Sequence, residues 1–140
     1  MTTPQNHTLV LGGSSGIGLA TALRLARKGN SLAIVGRDQA KLDRAVAQLE
    51  QVGACQVKSL QVDLYDSSDV DALITKIKDA PYAITGLVNA AGYFSPAPSL
   101  DHSREDYRKY LDLNEPLFFL TQPVAGNLPR NGGGAVVHIR

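Results

Sequence analysis

The chain has 140 residues, enough for one domain with its own core, since a chain of about 150 residues buries roughly 68–70% of its unfolded surface. Hydrophobic residues make up 44%, charged residues 19% and the net charge is +1, which excludes a bulk field for nucleic acid or an anionic membrane. The one cysteine, Cys55, excludes an internal disulfide and fits a reducing, cytoplasmic setting.

Met1 to Thr8 is short and polar, without the basic-then-apolar layout of a signal peptide. No apolar run approaches the ~20 residues a membrane-spanning helix needs. Leu9–Leu11 reads as a first buried strand, followed by a glycine-rich turn and a helix from Ile17 to Lys28 that stops at Gly29. Leu32–Val35 is a second strand. Asp38 is a good N-cap for the next helix, whose Leu42, Ala45, Val46 and Leu49 form one apolar stripe. Val57–Val62 is a third strand, with Cys55 as a small hydrophobe entering it. Ser68 and Asp71 read as a capping box for a helix carrying Val70, Leu73, Ile74 and Ile77.

Ile84–Asn89 is a fourth strand, and Pro96 and Pro98 mark a loop. Ser103 and Asp106 form a second capping box, opening a long helix to about Leu120 that Pro116 should kink. Pro123, Pro129 and Gly132–Gly134 read as a turn before a fifth strand, Ala135–Ile139. Alternating strands and helices imply a parallel sheet with right-handed crossovers and helices on both faces, an α/β doubly wound, Rossmann-type fold in one domain over residues 1–140.

The turn reads Gly12-Gly13-Ser14-Ser15-Gly16-Ile17-Gly18. Glycine permits a tight turn and lets backbone approach a pyrophosphate that a side chain would block. The free N–H groups and dipole of the following helix attract phosphate, and Gly18 allows the helix to pack near the strand. A mere turn would also be glycine-rich, but its place between a first strand and a helix favours dinucleotide binding. No Lys-Ser or Lys-Thr follows the last glycine, which excludes a Walker A loop. His7, His102 and His138 are scattered, so no metal site is expected, and His138 reads as an inward or sheet-facing strand residue.

After the second strand come Val35-Gly36-Arg37-Asp38. An acid usually holds a free ribose 2′-hydroxyl about 20 residues beyond the turn. Here Gly36 leaves room and Arg37 offers a fork for a 2′-phosphate, which points to NADP(H) in preference to NAD(H). In the competing readings Arg37 is a solvated surface residue, or Asp38 reaches the ribose instead of capping its helix.

The glycine spacing resembles the short-chain dehydrogenase/reductase family, and more of its pattern follows in order: Asp63-Leu64, Asn89-Ala90-Ala91-Gly92, Asn114 and Gly134–Ile139. The resemblance, of the classical type and to the family's N-terminal portion, runs from about Thr8 to the end. It implies about five strands in the order 3-2-1-4-5, incomplete relative to the family. Gly12, Ser14, Ser15, Gly16, Ile17 and Gly18 would hold the pyrophosphate. Asp63 would accept from the adenine amino group with the Leu64 backbone facing the ring; its competing role is a turn or cap. Asn89 would brace the sheet, and Ala90, Ala91 and Gly92 are small so that the cofactor can pass over them. Asn114 would hold a water of the proton relay, or simply bond back to its own helix. Leu11 departs from the family, which usually has threonine there.

The family's chemistry transfers hydride between NADP(H) and a carbonyl or alcohol substrate, with a serine, a tyrosine and a lysine four residues after the tyrosine. Tyr65, Tyr82, Tyr93, Tyr107 and Tyr110 are followed four places on by Asp69, Gly86, Ala97, Leu111 and Asn114, and Arg140 stands where the first serine is expected. The chain alone is therefore expected to be inactive. The alternative is a non-catalytic dinucleotide-binding module, a sensor or a subunit completed by a partner. Leu117–Leu120 would serve either a dimer interface, giving a homo-oligomer, or the core.

Overall fold

A computed structural model describes residues 6–139. Met1–Gln5 of the polar leader, and Arg140, lie outside the described residues. The strands are β1 Asn6–Leu11, β2 Ser31–Gly36, β3 Val57–Gln61, β4 Ala83–Asn89 and β5 Ala135–His138. The helices are α1 Gly16–Arg27, α2 Gln39–Gln51, α3 Ser67–Lys78, α4 Arg104–Asp112 and α5 Asn114–Asn127, with a 3-10 turn at Ser99–Asp101. All strand pairs are parallel, in the order β3-β2-β1-β4-β5.

Strand alternation divides the core between the two faces. Leu9 and Leu11 of β1, with Ala33 and Val35 of β2, pack under Leu73 and Ile77 of α3 and Leu117, Leu120 and Val124 of α5. Val10, Leu32 and Ile34 point the other way, onto Ala22 and Ala26 of α1 and Leu42 and Leu49 of α2. Burial on both faces is why these strands read as continuous apolar runs. No helix among the described residues is long and apolar enough to cross a membrane.

Several local expectations give way. The N-cap of α3 is Asp66, whose carboxylate accepts from Ser68 N–H at 2.9 Å and Asp69 N–H at 3.3 Å, so Ser68 and Asp71 make no capping box. The box at Ser103 and Asp106 is present. The long helix is two, broken at Leu113. The cause is Pro116: it has no N–H for the Asp112 carbonyl, and its ring would crowd that carbonyl. As the third residue of α5 it costs nothing further, because N–H groups there have no intrahelical partner. Pro123 lies inside α5 rather than in the turn after it. Cys55 is exposed in the bend before β3. His138 is exposed at the end of β5, and the buried histidine is His7, stacked on Tyr82 with ring centroids 3.9 Å apart.

Helix α4 buries none of its own residues. Two tyrosines hold it: Tyr65 donates its hydroxyl to the Lys109 carbonyl at 2.7 Å, and Tyr110 both accepts from Ser95 N–H at 2.8 Å and donates to the Ser95 carbonyl at 3.2 Å.

Candidate functional site

The glycine turn lies at the C-terminal end of β1, where the chain order of the sheet reverses between β1 and β4. The N–H groups of Gly12 and Gly13 both donate to the Val35 carbonyl, at 2.9 and 3.1 Å, folding the turn against β2. Gly12 has φ +74°, and a Cβ there would meet the Ala91 backbone at 2.9 Å. A Cβ on Gly18 would collide with the Gly12 carbonyl. Gly36 makes room for the turn itself: a Cβ on it would stand 2.7 Å from Ser14 Oγ, so the space expected for a phosphate is occupied by Ser14.

Helix α1 begins unlike α2, α3 and α4. Those three have side-chain caps, from Asp38, Asp66 and Ser103. Ser15, the N-cap of α1, makes no such bond, and no acid lies in the first turn. The first intrahelical bond runs from Leu19 N–H to the Ser15 carbonyl at 3.1 Å, leaving the amides of Gly16, Ile17 and Gly18 at an open, electropositive helix end. Ser15, Gly16 and Ile17 are exposed, and no side chain lies within 4 Å of where a Gly16 Cβ would be.

Beside the turn is a hollow of about 180 Å³ lined by Arg37, Asp63, Leu64, Tyr65, Gly92 and Tyr93. The exposed Arg37 makes no salt bridge among the described residues, and Gln61 fixes its carbonyl at 3.2 Å. Asp38 is committed to its cap, accepting from Lys41 N–H at 3.1 Å. Asp63 is held in a turn: its N–H donates to Asp69 Oδ2 at 2.9 Å, and its carboxylate accepts from Tyr65 N–H at 3.0 Å. Burial raises the Tyr65 phenol from its ordinary value, and its hydroxyl donates to the Lys109 carbonyl.

A wider cleft of about 880 Å³ opens over the ends of β4 and β5, lined by Asn89, Gly92, Tyr93, Tyr110, Asn114 and His138 among others. Asn89 is 6% exposed, its Nδ2 3.2 Å from His138 Nδ1. Asn114, the exposed first residue of α5, donates to the Tyr110 carbonyl at 3.5 Å, the back-bond of a polar helix residue. Ala90 N–H donates to the Leu11 carbonyl at 2.9 Å and Ala91 abuts Gly12, so the Ala90–Gly92 stretch and the glycine turn form one floor. Nothing in the sequence points to Tyr65 and Tyr110; each acts through a main-chain bond to a distant segment, for which a single sequence carries no signal. No cluster of His, Cys, Asp or Glu able to hold a metal occurs among the described residues.

A doubly wound parallel sheet with an open, glycine-wrapped helix end at its switch point defines the dinucleotide-binding class of α/β proteins. Residues 6–140 match the family model described as short chain dehydrogenase, and the chain belongs to that family. It is 34% identical over 137 residues to a gluconate 5-dehydrogenase of Gluconobacter oxydans, covering 95% of this chain and 52% of that protein. A 3alpha-hydroxysteroid dehydrogenase of Mediterraneibacter gnavus is 28% identical over 130 residues, 92% of this chain and 52% of its own. Among solved structures, a short-chain dehydrogenase from Sphingobium yanoikuyae in complex with NADPH superposes with a TM-score of 0.84 at 32% identity, over 96% of this chain and 52% of that one. An NAD+-bound xylitol dehydrogenase gives 0.83 at 28% identity, over 96% of this chain and 52% of its own. The chain spans about half the length of the curated relatives it matches.

Proposed function

We propose that these 140 residues form a single domain that holds NADP(H) for an oxidoreductase acting on a small carbonyl or alcohol substrate. The observation that carries this is the uncapped start of α1, with no acid in its first turn and glycines that keep its approach clear. Gly12, Ser14, Ser15, Gly16, Ile17 and Gly18 would seat the pyrophosphate, Asp63 and Leu64 the adenine, and Ala90, Ala91 and Gly92 the path between turn and cleft. Asn89 would brace that path, and Asn114 would mark the proton-relay position beside the cleft. Arg37, without a salt bridge among the described residues, would take the 2′-phosphate, while Asp38 is occupied by its cap. The bound cofactor supplies or accepts the hydride; what these residues contribute is binding and orientation.

Turnover by these residues alone is not expected, because no tyrosine is followed four places on by lysine. The same observation favours a second reading, a dinucleotide-binding module completed by a partner. The half-exposed Phe118 and Phe119 of α5 support self-association through that helix. A cytoplasmic location is part of the proposal, on the single cysteine, Cys55, which suits a reducing compartment. Calorimetric titration with NADPH, NADH and ATP tests the proposal: NADPH should bind best, and ATP binding as well as either dinucleotide would refute it. Steady NADPH oxidation with a panel of carbonyl compounds would refute the expected inactivity.

A further inference from the structure

On the sheet face that packs against α3 and α5, one row runs Leu87, Leu9, Ala33 and Lys58 across β4, β1, β2 and β3. Its first three members are buried and apolar, and on the outer strand the row ends in an amine. Lys58 shares that face with Leu60, two residues on. Its Nζ stands 5.3 Å from the centroid of the Tyr82 ring, which also stacks on the buried His7. The ring's quadrupole attracts the cation and draws the amine back over the sheet.

Between this row and α3 lies a hollow of about 340 Å³, within the roughly 300–1,000 Å³ of small-molecule sites. Its floor is core: Leu9, Leu73, Ile77 and Ile84 are all buried. Lys58 and Lys76 line it beside Tyr82, and Asp79 is the one carboxylate on its lining. Neither lysine makes a salt bridge among the described residues. An apolar floor therefore meets a rim with surplus positive charge. The hollow opens where β3 and β4 begin, at the end of the parallel sheet opposite the glycine turn. An inward-facing charge on an outer strand also deters edge pairing, but that role asks nothing of Lys76, which α3 brings to the same hollow. An apolar floor with two amines suits one alkyl chain ending in an anion. The chain displaces water from the leucine and isoleucine side chains, and the anion supplies the charge that the lysines lack. The volume admits a single chain, not a folded peptide or a bilayer.

We propose that this hollow binds a free, single-chain carboxylate of medium length, its alkyl chain on Leu73, Ile77 and Ile84 and its carboxylate at Lys58 and Lys76. The site stands independently of the cofactor reading, since it shares no residue with the glycine turn or with the hollow beside Arg37.

Calorimetric titration of the 140-residue chain with octanoate, octan-1-ol and acetate reads the two halves of the site. Octanoate should bind and acetate should not. Removing the charge, in octan-1-ol, should weaken binding by about fivefold, the worth of exposed ion pairs. Shortening octanoate to hexanoate should weaken it by about fourfold for each buried CH2 removed. Absence of octanoate binding overturns the proposal, and so does equal affinity for octanoate and octan-1-ol or for octanoate and hexanoate. Acetate binding as tightly as octanoate would reduce the site to an adventitious anion. Lys58→Gln combined with Lys76→Gln, both at exposed positions, should abolish the preference for octanoate over octan-1-ol. A preference that survives in this double variant overturns the assignment of the carboxylate. Methyl NMR then locates the chain: the signals of Leu73, Ile77 and Ile84 should shift with octanoate. Shifts at Leu113 and Leu117, which line the cleft over β4 and β5, would place the ligand there and overturn the proposal.

Discussion

Replacing Gly16 with alanine separates what the turn needs for folding from what it needs for a ligand. Gly16 has φ +55° and its missing Cβ would point into open space. Its folding cost is therefore the left-handed conformation alone, roughly 1–2 kcal/mol for a residue with a Cβ. At about 4 °C per kcal/mol for a domain of this size, the melting temperature should fall by about 4–8 °C. The methyl, however, is added to the first residue of α1, the helix end with no side-chain cap. Losing one charge-assisted hydrogen bond there, worth about 1.5–3 kcal/mol, weakens NADPH binding by about 10- to 100-fold. Gly12→Ala is the counterpart. It carries the same conformational cost and also drives a Cβ to 2.9 Å from the Ala91 backbone. Overpacking adds about 1–3 kcal/mol, so about 2–5 kcal/mol in all, a large share of the roughly 5–15 kcal/mol that holds a domain together. Thermal unfolding and calorimetric titration of both variants read the two quantities separately. A folded Gly16→Ala chain that binds NADPH within twofold of the native one would refute the phosphate role of this helix end.

Arg37→Ala should weaken NADPH binding by about 10- to 100-fold through the lost charge-assisted fork and leave NADH within twofold, measured by parallel titrations. Asp38→Ala should lower stability by about 1 kcal/mol as a lost cap without altering the NADPH to NADH ratio; a tenfold change in NADH affinity alone would return Asp38 to the ribose. Burial pushes the Tyr82 phenol upward. A group raised in the folded state contributes stability that is present below its unfolded value, about 10, and lost as pH rises through the folded one. Melting temperature should therefore decline above pH about 10, less steeply in Tyr82→Phe; identical slopes would contradict this.

The parts that could be read from sequence are those whose chemistry is local. The glycine turn, the Asp38 cap and the apolar runs of β2 and β4 each carry their reason within a few residues. Hydropathy starts β1 only at Leu9, because Asn6, His7 and Thr8 are polar, yet His7 and Thr8 pair with Ser31 and Leu32 in the ladder, and backbone pairing leaves no mark in hydropathy. Ser68 and Asp71 fit a capping pattern as well as any pair. Asp66 starts α3 instead because its N–H is drawn to the Asp63 carbonyl at 3.0 Å as the chain leaves β3, and Asp69 is spent on Asp63 N–H. Gly36 suggests room for a ligand in the sequence, but its neighbour is Ser14, a contact made only when two turns meet. Tyr65 and Lys109 are 44 residues apart, and nothing in either stretch announces the other.

With no buried residue of its own, α4 has little of the apolar anchoring that sets the free energy of local opening. Its amide protons should be among the first of the helices to exchange with solvent, in a motion that breaks the Tyr65 and Tyr110 bonds without unfolding the sheet. Because Tyr65 and Tyr93 also line the hollow beside Arg37, that opening loosens one wall of it. A ligand seated there would slow exchange in a helix that contributes no residue of its own to that hollow.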